Sequence, residues 1–178
     1  QTCALPIYMS GSKAVIPIEL HNADDLYMKH DYLKMELSDS VCKYIEEIAY
    51  MIPLNTDIVL EFHCPQVDDE TKQSMIKAVK NNYGMEIDDI DYDLNKVNTR
   101  SWIYGIVGIA ILVFNLLTEK LFGEVLSNFI CVVWWVAIWE MVELQTIDKP
   151  DLKWKRLNHQ QLYDAEITFV FNKEDDED

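Results

Sequence analysis

Residues 101–118 read SWIYGIVGIAILVFNLLT and residues 125–139 read VLSNFICVVWWVAIW, with the spacer EKLFGE between them. The first run holds eighteen residues without a charge and the second fifteen. At 1.5 Å per residue the first meets the usual length of a membrane-spanning helix. The second, about 22 Å, is short unless Met141 and Val142 extend it past Glu140. A buried helical hairpin in a soluble core is the competing reading. A core helix in so small a domain should show a polar face, and these runs show almost none.

Two further features favour lipid. Trp102 opens the first run and Trp139 closes the second, so an up-and-down pair puts both rings at one interface, as in an aromatic belt. The cations are asymmetric. Lys96 and Arg100 precede the hairpin, Lys149, Lys153, Lys155 and Arg156 follow it, and the spacer carries only Lys120. The positive-inside rule then places both chain ends in the cytoplasm. Trp154, with Lys153, Lys155 and Arg156 beside it, suits anionic headgroups, and Arg100 belongs to the same interface.

Outside the hairpin the sequence predicts a small α+β domain. Residues 14–20 read as a strand whose Pro17 favours an edge position. Residues 21–37 read as a loop. Ser38 is placed to cap a helix running to about Ile52, where Pro53 ends it. In 57–63, Ile58, Leu60 and Phe62 share one strand face, with Val59, Glu61 and His63 on the other. Asp68 or Asp69 caps a second helix for which Gly84 is a natural C′ residue. Residues 85–94 fit a strand or a short helix, and 148–162 predict a helix interrupted near Pro150. Ala165–Phe171 alternates as a last strand. Strand, helix and strand in succession favour a parallel pair.

The expected class is therefore α+β: a small mixed sheet with two packing helices, interrupted by a two-helix transmembrane hairpin. Residues 8–100 and 145–171 form the cytoplasmic domain, 101–144 the hairpin, and 172–178 a disordered acidic tail. Gln1–Ile7 matches the translated end of a common sequencing adapter and is set aside, Cys3 with it, which leaves Met9 as a candidate start.

Composition narrows the function classes. Asp and Glu number 31 against 15 Lys and Arg, a net charge of −16 that repels nucleic-acid phosphates. Cys42, Cys64 and Cys131 show no framework spacing and predict free thiols in a reducing compartment. An EF-hand register starting at Asp89 fails, with Leu94 where Gly is needed and Arg100 where Glu is needed. His63 and Cys64, being adjacent on a strand, point to opposite faces and make a poor base–nucleophile pair. His21 with Asp24 and Asp25 is a weak metal candidate. No cofactor, metal site or catalytic residue is expected, and an enzyme is the less favoured class. Glu140 and Glu143 share a helical face near the membrane boundary; either they only mark that boundary, or pairing with Arg100, Lys153 or Arg156 clamps the hairpin to the domain. Asn115 and Asn128 are intramembrane polar residues suited to bonds across helices or between subunits.

The residues Ile16-Pro17-Ile18-Glu19-Leu20-His21-Asn22, Ile52-Pro53-Leu54, the strand at 57–62 and Trp135-Val136-Ala137-Ile138-Trp139-Glu140 with Glu143 resemble an uncharacterised bacterial family of small proteins with two membrane spans. The resemblance implies a bacterial origin and membrane residence, and no activity. The expected protein is a multi-pass component of the bacterial inner membrane with both termini cytoplasmic. Its partners are the lipid bilayer and either a second copy or a protein, acting as a binding, scaffold or sensor module. The alternatives are a membrane-perturbing effector whose hairpin oligomerises and a membrane-surface enzyme.

Overall fold

The computed structural model describes residues 7–10, 12–32 and 36–171. Residues 1–6 and the acidic tail lie outside them. The chain forms two compact units. Residues up to Asp88 join those from Leu157 onward in the first, and Asp89–Arg156 form the second.

The first unit is a four-stranded mixed sheet with helices on one face. The strands are β1 (Tyr8–Ser10), β2 (Lys13–Glu19), β3 (Asp57–Cys64) and β4 (Glu166–Phe171), in spatial order β1-β2-β3-β4. β1 is antiparallel to β2, while β2, β3 and β4 run parallel. The alternation in β3 has its expected consequence: Ile58, Leu60 and Phe62 join the core, together with Ile16 and Ile18 of β2. Against this face pack Ile45, Ile48 and Ala49 of α1 (Asp39–Ala49), Met75, Val79 and Tyr83 of α2 (Asp69–Glu143), and Leu162 of α3 (Lys149–Tyr163). Three helices, not two, cover the sheet. Asp68 caps α2 through Thr71 N–H, donated to Oδ1 at 3.0 Å.

Several expectations are corrected. β2 is an interior strand, yet β1 reaches only from Lys13 to Val15. Pro17 lies beyond it, and its carbonyl accepts the Tyr44 hydroxyl at 3.1 Å instead of a ladder N–H. The missing donor of Pro17 thus faces the side no strand occupies. Residues 21–37 hold a 3-10 turn, Ala23–Leu26, and a bridge from Tyr27 to Leu37. Ser38 occupies the N-cap position of α1, but its hydroxyl donates to Asp25 O at 3.2 Å. α2 does not stop at Gly84; residues 85–94 continue it as helix. The helix is uninterrupted at Pro150: Lys149 keeps helical φ/ψ, and the π-helical turn Leu144–Asp148 directly before it widens the backbone where proline brings no N–H.

Gly84 is therefore a helix-interior glycine with room for a side chain, since an added Cβ would meet only the Tyr163 ring at 3.6 Å. Gly84→Ala is expected to stabilise the chain by up to about 1 kcal/mol. Phe62, fully buried and stacked on Phe169 at 5.9 Å, is the opposite case. Phe62→Ala should destabilise by about 3–5 kcal/mol through lost transfer and cavity terms. Equilibrium unfolding of the two variants checks both signs.

Candidate functional site

The second unit carries the strongest physical signature. α2 is broken at Gly123, whose φ of 75° and ψ of 167° belong to a region that residues with a Cβ avoid. The break divides α2 into two legs, which fold back on each other. Ser101 meets Gln145, Gly105 meets Met141, Gly108 meets Ile138, and Asn115 meets Ser127. The glycines make close approach possible. A Cβ at Gly105 would lie 2.9 Å from Met141 Sδ, and one at Gly108 would lie 2.9 Å from Ile138 Cδ1.

Polar groups inside this hairpin bond to one another. Ser127 Oγ donates to Asn115 Oδ1 at 3.0 Å, both residues being buried, so Asn115 does bond across the helices. Near the hairpin's open end Gln145 Nε2 donates to Ser101 Oγ at 2.9 Å. Lys149 Nζ donates to Asn98 Oδ1 at 3.0 Å and to Gln145 Oε1 at 3.1 Å. Arg156 forms a two-pronged pair with Asp91, Nε to Oδ1 at 2.6 Å and Nη2 to Oδ2 at 3.0 Å. This network closes the open end of the hairpin, whereas the sequence assigned to Glu140 and Glu143 the part of fastening the hairpin to the domain. Neither glutamate has an ion pair among the described residues, because Arg156 is taken by Asp91. Glu140 is half-buried and Glu143 exposed. Ser101, the first residue of the uncharged run, is 1% exposed and accepts from Gln145, which links it to Lys149 and Asn98. Asn98, Gln145 and Lys149 were not legible as partners, because only the fold-back register brings them together.

The outer surface of the hairpin is apolar and open. Trp102, Ile106, Leu117, Val125 and Phe129 are 64%, 64%, 77%, 86% and 67% exposed. Trp102 and Trp139 both face outward but not at the one level that the sequence suggested: Trp139, between the Gly108–Ile138 and Gly105–Met141 contacts, lies deeper toward the turn than Trp102. Asn128 also faces outward. Trp154, Lys153 and Lys155 lie on α3, as does Arg156; Arg100 is in the first leg, exposed and one residue before Ser101.

The first unit offers a shallow groove of about 720 Å³ at the carboxyl ends of β2 and β3, lined by Pro17, Glu19, Val41, Tyr44 and His63. His63 Nε2 lies 2.7 Å from Glu61 Oε1, and the Tyr8 hydroxyl donates to Glu61 Oε2 at 2.8 Å. Cys64 points the other way, fully buried in the core. A second polar cluster joins the helices. Cys42 Sγ donates to Glu46 Oε1 at 3.2 Å and accepts from Asn82 Nδ2 at 3.6 Å. The Tyr83 and His159 rings lie 6.0 Å apart beside it. Burial, and then the Glu46 carboxylate, push the Cys42 thiol up to about 12, so it is not a nucleophile at neutral pH. Burial raises the Tyr83 phenol as well. Asp25 is occupied in accepting Asn22 N–H at 2.9 Å, and among the described residues no three His, Cys, Asp or Glu side chains form a metal-holding group.

No family model matches the chain, and neither does any curated protein or solved structure.

Two predictions follow from the hairpin. Gly108→Leu should overpack the legs and destabilise the chain by about 1–3 kcal/mol, read as a lower melting temperature in detergent. The Arg156 guanidinium holds the Asp91 carboxyl below its usual range. A depressed carboxylate contributes stability above its unfolded value, about pH 4, and loses it as pH falls through the folded one. For so exposed a pair that contribution is under about 1 kcal/mol. Melting curves of wild type and Asp91→Asn should differ at pH 7 and converge toward pH 2.

Proposed function

We propose that this chain is a membrane-anchored protein. On this reading its hairpin, 101–118 and 125–139, crosses a bacterial inner membrane, and its α+β unit works in the cytoplasm as a binding module. Two helices are long and apolar enough to cross a membrane. The observation that carries the reading is where their apolar side chains go. Only 22% and 11% of the two most hydrophobic windows are buried within the chain. A core helix of a soluble protein hides its apolar surface in its own fold; these helices direct theirs outward. The cation asymmetry supports the same orientation, and the exposed Trp102 near the open end suits that interface.

The carboxyl-edge groove is the place offered for a small ligand or peptide, with the Glu61-held His63 as its polar contact. A leak-forming effector is less well supported. Asn115 with Ser127 and Ser101 with Gln145 use up polar groups that would otherwise line a pore within one copy.

Fractionation tests the anchor. Membranes washed with alkaline carbonate should retain the untagged chain in the pellet. Recovery from detergent-free lysate as a monodisperse soluble monomer would contradict the reading.

A further inference from the structure

We propose that a second copy of this chain packs on the hairpin along Asn128, Val132, Trp135 and Trp139, forming a two-fold dimer within the membrane; this rests on the membrane reading above. The four residues fall at spacings of four, three and four, so they form one stripe on the second leg of α2. All four are exposed, with Val132 at 60%, Trp135 at 58% and Trp139 at 61%.

The first leg supplies the contrast. Past Trp102 at its open end, its outward residues, among them Ile106, Ile109, Val113, Phe114 and Leu116, carry no polar side-chain atom and suit lipid tails. The stripe on the second leg carries an amide and two indoles instead. Depth makes this costly. Trp135 lies ten residues from Gln145, about 15 Å along the leg, while the run facing it is about 27 Å long. Trp135 is thus near mid-layer, where tryptophan's polar N–H is out of reach of interfacial water. Trp134 solves this within the chain by donating Nε1–H to Cys131 Sγ at 3.3 Å. Trp135, Trp139 and Asn128 have no hydrogen-bond partner among the described residues.

A second copy is the occupant that fits. Copies inserted with the same orientation meet at equal depth around an axis along the membrane normal. An amide both donates and accepts, so Asn128 pairs with its own mate. Trp135 then meets Trp135 in an aromatic contact, and no foreign surface of matched depth is needed. The Asn128 amides satisfy each other, the indoles leave the lipid for a protein contact, and the apolar first leg stays in lipid.

The test uses full-length chain in native membranes, with its four cysteines replaced by alanine. Single cysteines at Val132→Cys, Trp135→Cys and, on the first leg, Val113→Cys are oxidised with copper–phenanthroline. Disulfide dimers are expected at positions 132 and 135 and not at 113. In the cysteine-containing chain Asn128→Leu should weaken dimerisation about three- to thirtyfold, read by energy transfer between labelled copies, with Asn128→Gln retaining most of it. Equal cross-linking at 113, or none anywhere in chain retained by carbonate-washed membranes, overturns the dimer and leaves the anchor standing. Loss of the chain from those membranes overturns both.

Discussion

Two helix legs covered in isoleucine, leucine, valine, phenylalanine and tryptophan have to be kept from water, and the account of this protein depends on how that is achieved. Removing one such side chain from water is worth about 1.5–3 kcal/mol, whereas a whole domain is stable by only about 5–15 kcal/mol. A dozen outward apolar side chains therefore outweigh anything the sheet could gain by folding beneath them. The chain does not bury them against itself. Either something else covers them or the chain associates without limit, and a bilayer is the cover that matches a surface apolar on both legs.

The hairpin's interior obeys a complementary rule. Without water, association of helices relies on close packing and on satisfied polar groups. Gly105 and Gly108 allow the packing, and Asn115–Ser127 and Ser101–Gln145 satisfy polar groups near the two ends. Lys149 and the Arg156–Asp91 pair extend the network beyond the apolar runs. Two of the four cations after the hairpin are thus structural, which, under the proposed anchoring, leaves Lys153 and Lys155 as the candidates for headgroup contact on α3.

Much of the sheet was legible because strand alternation is a local property. Ile58, Leu60 and Phe62 declare their face in the sequence, and so do Ile167 and Phe169. β1 was missed because three residues carry no period. Continuation of α2 was missed because Gly84 and the acidic stretch after it look like a terminus. Glycine costs only about 1 kcal/mol inside a helix, and surrounding contacts outweigh it. Pro17 signals an edge in the sequence, but edge and interior are not properties of a whole strand: a three-residue neighbour leaves part of β2 uncovered. The polar clamp carries no spacing signal. It becomes readable only with Gly123 as the fold-back point and residues matched outward from it, whereas the carboxylates of Glu140 and Glu143 stand out locally beside an apolar run.

Sidedness of the hairpin turn is the most direct test of the central claim. In sealed spheroplasts expressing single-cysteine chains, a membrane-impermeant maleimide should label Glu124→Cys, beside the turn, from outside. Tyr92→Cys, before the first run, should react only after the membrane is permeabilised. Equal labelling of both positions in intact spheroplasts, or protection of both, would contradict a hairpin that crosses the bilayer.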